Sequence, residues 1–203
     1  MSREVIEMIR EMDSEQIENQ LILQCAPLIV GLRISTLFIA ANGDVKKICM
    51  LLRRSAISYY VIHRTQEKTT MFLFHKRRLE AYFSNPEVRS LLAGAGYAKF
   101  GLHEIMFGFG KRYADYRCGK TDFPHELGLL LGYPLEDVEG YIENNGENSL
   151  YTGCWKVYAH VSEKKRLFRM FDFAKELLIE LVNNGVGVPE ILRTYSEGQA
   201  FIV

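Results

Sequence analysis

The chain has no surplus of charge: 25 Lys and Arg stand against 25 Asp and Glu in 203 residues. A dedicated nucleic-acid binder needs excess positive charge to displace counterions from phosphates, so nucleic acid is not an expected partner. Prolines number only five. With no low-complexity tract or internal repeat either, nothing reads as an interdomain linker. The four cysteines (Cys25, Cys49, Cys118 and Cys154) show no C-x-x-C spacing. That argues against a disulfide framework and a metal site, and for a reducing cytoplasm. No apolar run approaches the ~20 residues of a membrane span, and "MSREVIEMIREMDSEQ" has no signal-peptide core, so no membrane partner is expected. Phosphate-cradling loops are also missing: "AGAGY" at 93–97 is not G-x-G-x-x-G after a strand, and no cofactor is expected.

What is present is globular. Hydrophobic residues make up 48% of the chain, with 12 Phe and 11 Tyr to fill a core. Charge is balanced overall but not locally. Residues 43–80 hold nine Lys/Arg against three Asp/Glu, whereas residues 121–155 hold seven Asp/Glu and no Lys/Arg. Such runs ordinarily mark differently solvated faces.

The expected fold is α+β, a helix-rich single domain over 1–203 around a mixed sheet of about four strands. Residues 1–24 read as a helical segment broken near Asp13-Ser14, with Val5, Ile9 and Met12 on one stripe and either break residue able to cap. Pro27 suits the first turn of a new short helix. Residues 35–75 read as strand, helix and hairpin, with a capping Asp44 and a helix over 45–56. The strand–helix–strand order favours a parallel unit. His63 and His75 close the hairpin strands at edge or solvent positions. Residues 76–146 read as a helical segment broken at Pro86, Gly94–Gly96, Gly119, Gly132-Tyr133-Pro134 and Asn145-Gly146. In 153–184, "GCWKVYAH" reads as one strand, followed by a long helix with Leu167, Phe171, Ala174, Leu178 and Leu181 on its buried face.

The most patterned stretch is "FPHELGLLLGYPLEDVEGYIENNG", residues 123–146. Its acidity has a structural explanation. Asp122 is placed to cap a helix from Pro124 to Leu131, with Glu126 in the first turn. Gly132 suits a left-handed C-cap. Pro134 opens a second helix whose first turn carries Glu136 and Asp137 and whose core stripe is Leu135, Val138 and Ile142. Gly128 costs roughly 1 kcal/mol in a helix interior relative to Ala, which implies a close neighbour.

His125 is the residue this logic does not absorb. The helix dipole disfavours its charged form, which leaves a usable base or hydrogen-bonding group. Cys25, two residues before Pro27, would face a helix N-terminus, where a thiol ionises more readily. Together with Glu126 these are the candidate catalytic residues. The candidate binding residues are Asp122, His125, Tyr133, Trp155 and Lys156. Trp155 and Lys156, adjacent on a strand, are expected on opposite faces, with Lys156 at a surface or paired with an acidic-segment carboxylate. The leading reading is a non-enzymatic binding or regulatory domain with a small-molecule or protein ligand. The alternative is a thiol-dependent hydrolase or transferase using Cys25 with His125.

"CAPLIVGLR" and "FPHELGLLLGYPLEDVEGYIENNG...GCWKVY" together resemble an uncharacterised bacterial family, number 3793 in the domain-of-unknown-function series. The resemblance runs from about Gln24 to about Leu178. Members tend to carry Thr where this chain has Leu28 and Lys where it has Arg33, so no hydroxyl at that position beside Cys25 can have a role here. The family has no assigned activity, cofactor or catalytic residue. The resemblance implies a single soluble bacterial domain and transfers no mechanism.

Overall fold

A computed structural model describes residues 3–13 and 15–196. Among them are ten helices, a three-stranded antiparallel sheet and a separate two-strand hairpin. The class is helix-rich α+β. The sheet itself differs in size and pairing from the mixed one of about four strands.

Strands β1 (Ser35–Ala41), β2 (Ser58–Arg64) and β3 (Lys68–Phe74) lie in the order β1-β3-β2, with β3 antiparallel to both neighbours. Helix α3 (Val45–Leu52) does carry the chain from β1 to β2. The two strands run the same way but are not neighbours, because β3 lies between them. Two forces explain this. The Thr65 amide donates to Lys68 O at 2.8 Å, closing the β2–β3 turn locally. In addition, β3 carries Met71, Phe72, Leu73 and Phe74 in an unbroken apolar run, is buried at six of its seven positions, and takes the position covered on both faces. Its side chains divide by parity. Met71 and Leu73 join Phe38 in one cluster, with α2 (Ile17–Ile29), α3, α9 (Val161–Asn183) and α10 (Val188–Ser196). Phe72 and Phe74 join a second cluster with α4 (Lys76–Phe83), α5 (Pro86–Gly94) and α6 (Leu102–Arg117). Fully buried Phe38, Phe72, Phe83 and Phe109 each contribute about 2–3 kcal/mol of burial free energy.

The N-terminal break falls as expected, between α1 (Arg3–Glu11) and α2. Asp13 Oδ1 accepts from the Glu15 amide at 2.9 Å. Ser14, and the side chain of Val5, lie outside the described residues. Pro27 does not start a helix: it lies inside α2, which runs on to Ile29. An interior proline costs about 3 kcal/mol. Burial of Cys25, Ala26, Leu28 and Ile29 around it offsets that cost. Asp44 precedes α3 without a side-chain capping bond, and α3 stops at Leu52 rather than 56.

His75 is half-buried rather than at an open edge, and its Nε2–H donates to Leu28 O at 2.8 Å, tying β3 to α2. Burial is the largest influence on its ring and lowers its pKa. The Leu28 carbonyl works the other way, and Arg78 adds to the lowering. A folded-state pKa below the unfolded value of about 6.5 favours the neutral ring in the fold. Its contribution is therefore complete above about 6.5 and is lost as pH falls through the folded pKa. Urea midpoints taken from neutral to mildly acid pH are expected to fall, and to fall less in His75→Gln. Parallel pH dependences in the two proteins would refute this.

"GCWKVYAH" is not one strand. Its first three residues, Gly153-Cys154-Trp155, are the turn of a hairpin whose strands are β4 (Tyr151–Thr152), just before it, and β5 (Lys156–Val157). Gly153 permits the turn, since a Cβ there would strike the Phe168 ring. Trp155, Val157, Phe168 and Phe171 form a third cluster between hairpin and α9. α10 is an element that the sequence reading did not contain.

Candidate functional site

The hairpin faces α7 (Leu127–Leu130) and α8 (Leu135–Glu143), and between them lies a cavity of about 260 Å³. α8 begins at the residue after Pro134, with Glu136 and Asp137 in its first turn. Gly132 has φ +67°, the left-handed conformation expected of it. A Cβ on Gly128 would sit 3.0 Å from Val138 Cγ2, the close neighbour its cost implied. Two local expectations need correction. α7 starts at Leu127, not Pro124, and no side chain caps it; Asp122 is exposed. Residues 124–128 form a turn instead, with Leu127 N donating to Pro124 O at 3.0 Å. Glu126 is drawn inward there, 3% exposed, accepting from Arg112 Nε at 2.7 Å and Tyr97 OH at 3.2 Å. Burial, and then the Glu126 charge, push the Tyr97 phenol pKa up. Secondly, Ile142 is 44% exposed, and the buried α8 positions are Asp137, Val138 and Gly140.

Asp137 organises the site. It is 2% exposed. Its Oδ2 accepts from Trp155 Nε1 at 2.8 Å, and its Oδ1 from the amides of Tyr158 at 2.8 Å and Ala159 at 3.3 Å. One carboxylate thus fixes both the indole and the backbone leaving the hairpin. Trp155 stacks on Tyr133 with ring centroids 4.7 Å apart and meets Phe168 edge-on at 4.5 Å. The Arg33 guanidinium lies 5.4 Å from the Tyr133 ring and 5.7 Å from Phe171. A second tie runs from α8 to α9: Glu136 Oε1 accepts from the buried Lys164 Nζ at 2.7 Å. Burial works to raise the Glu136 carboxyl, but the Lys164 hydrogen bond and charge prevail and hold its pKa low.

Four of the five candidate binding residues, His125, Tyr133, Trp155 and Lys156, line this one cavity. Lys156 Nζ donates to the Gly146 carbonyl, not to a carboxylate, and lies 5.9 Å from the Tyr141 ring. Trp155 and Lys156 share the cavity because Trp155 belongs to the turn, where strand alternation does not apply. His125 is exposed between Phe123 and Tyr141, with ring centroids at 5.9 and 5.5 Å. It precedes a helix of only four residues rather than the longer one expected from Pro124 to Leu131. Asp122 and Glu126 line a neighbouring, larger cleft of about 690 Å³, together with Arg112 and His125.

Cys25 is elsewhere. It lies within α2, 1% exposed in the first core cluster, and burial pushes its thiol up to about 12 against the smaller opposing pull of Arg33. It faces no helix N-terminus and lines neither cavity. Among the described residues no three His, Cys, Asp or Glu are grouped to hold a metal ion.

A family described as "Protein of unknown function (DUF3793)" matches residues 21–192. The chain belongs to this family. No curated protein and no solved structure matches it. The matched span takes in Asp137, the Tyr133–Trp155 stack and Lys156, so the whole cavity is part of the DUF3793 region. No helix among the described residues is long and apolar enough to cross a membrane.

Sequence reasoning missed Asp137 as a hub, and with it Tyr141 and Arg33. The available signal was a second acidic residue in a helix start already supplied with Glu136, ahead of the single tryptophan.

Proposed function

We propose that this chain is a single-domain cytoplasmic binding or regulatory protein without a catalytic step of its own. Its ligand occupies the cavity walled by His125, Tyr133, Trp155 and Lys156. One observation carries the reading: a buried carboxylate, Asp137, spends both oxygens on holding the indole and hairpin backbone at the cavity wall. Such a wall is rigid before anything binds, which spares a ligand the cost of ordering it. The four free cysteines support a reducing compartment. The thiol-enzyme alternative draws no support from a Cys25 buried in α2.

Trp155 is the sole tryptophan, so its emission reports on the cavity wall and the cluster packed behind it. Titration with a library of one- and two-ring molecules is expected to give saturable emission changes. The same molecules should shift the NMR signals of Tyr133 and Tyr141. Saturable binding that maps elsewhere, or none across the library, would refute the assignment.

A further inference from the structure

The geometry points to a ligand class for this cavity: a planar aromatic molecule bearing one anionic group, held by Lys156. The inference rests on the binding reading above and adds to it the chemistry of the ligand.

The shape of the site selects a ring. A cavity of about 260 Å³ lies below the roughly 300–1,000 Å³ of sites for drug-sized ligands, so it suits one or two rings. Tyr133 and Trp155, stacked on each other, and Tyr141 line it with aromatic rings, and Leu131 and Val138 supply apolar packing. Stacking on such faces is favourable for any planar π-system.

The polar groups select the charge. Asp137 is the one carboxylate in the wall, and its oxygens are taken by Trp155, Tyr158 and Ala159. The wall therefore has no carboxylate free to accept from a ligand. Lys156 is the one Lys or Arg side chain in the wall. Its ammonium has three N–H groups, and the Gly146 carbonyl takes one. The others are available, and a charge-assisted bond to an anion is the strongest use of them. An aromatic enclosure could instead attract a cation. Here Lys156 Nζ already lies 5.9 Å from the Tyr141 ring, so an incoming cation meets like charge.

Three probes of one shape separate the cases: para-ethylbenzoate, para-ethylbenzamide and para-ethylbenzylammonium, each titrated against the full chain by Trp155 emission. The carboxylate is expected to bind roughly tenfold tighter than the amide, with the ammonium weakest. Lys156→Met is expected to abolish the preference for the carboxylate over the amide, weakening the carboxylate roughly tenfold more than the amide. Lys156→Arg is expected to keep the preference. Equal affinities in the wild-type protein, or a tighter ammonium, would overturn the charge assignment and leave the binding reading intact. Failure of all three probes would count against the cavity as a binding site, and against this inference with it. Should Lys156→Met not fold, the wild-type order of the three probes decides alone.

Discussion

Asp137→Ala is expected to lose about 3 kcal/mol of folding stability and to shift Trp155 emission to the red. Three N–H donors lose their acceptor at once: the indole, and the amides of Tyr158 and Ala159. Bonds to a charged group contribute about 1.5–3 kcal/mol each, so simple addition would give more. Two effects pull the total back. The wild-type protein bears the desolvation cost of a carboxylate that is 2% exposed, and the alanine variant does not. Water can also enter the enlarged cavity and take up some of the freed donors. Asp137→Asn is expected to recover little. An amide has one oxygen, whereas the site needs acceptors in two directions, so its NH₂ must face either the indole N–H or the backbone amides. Urea denaturation followed by circular dichroism and by tryptophan emission checks both variants. An Asp137→Ala protein within about 0.5 kcal/mol of wild type, with its indole spectrum unchanged, would show that the hub is dispensable.

What the sequence made legible here was local. The 58–74 hairpin, the long α9, the start of α8 after Pro134 and the left-handed Gly132 follow from periodicity and turn chemistry within a few residues. The misses were decided by distant neighbours. The three donors to Asp137 lie 18, 21 and 22 residues away, so the local pattern showed only a carboxylate suited to a helix start. The order β1-β3-β2 depends on which strand is best buried on both faces, and the strand–helix–strand sequence is silent on that. Pro27 read as a helix start because the rule for interior proline is strong; the core around Cys25 and Leu28 is stronger. "GCWKVYAH" has the composition of a strand, and only contact with Phe168 explains why it folds back at Gly153. α10 carries only a weak sequence signal, a proline in its first turn followed by Ile191 and Leu192. The candidate site was legible as a set of neighbours along the chain. Cys25, whose case rests on a helix N-terminus that the fold does not form, is the one candidate that lines neither cavity.

Gly140→Ala is expected to destabilise the protein by about 2 kcal/mol, although alanine is the better helix former. The helical preference alone would add about 1 kcal/mol of stability. Opposing it, a Cβ on Gly140 would lie 2.5 Å from both Cβ and Cγ of Tyr158, where something must shift. Overpacking of this kind costs about 1–3 kcal/mol and more where neither side can move. Neither side is free here. The Tyr158 amide is held by Asp137 Oδ1 at 2.8 Å, and α8 is tied to α9 by Glu136 and Lys164 at 2.7 Å. Truncating Tyr158 to alanine would give little relief, because its own Cβ is one of the two clashing atoms. Gly94 provides the control. It lies at the end of α5 with nothing within 4 Å of its Cβ position, so Gly94→Ala is expected to leave stability unchanged or raise it by up to about 1 kcal/mol. Urea midpoints of the two variants should therefore move in opposite directions or differ clearly in size. α8, one side of this seam, also lines the cavity through Asp137, Val138 and Tyr141. Opening it should weaken ligand binding at Trp155 along with stability. A Gly140→Ala protein as stable as wild type would mean that the seam yields easily, and a yielding seam would remove the rigidity on which the proposed binding site depends.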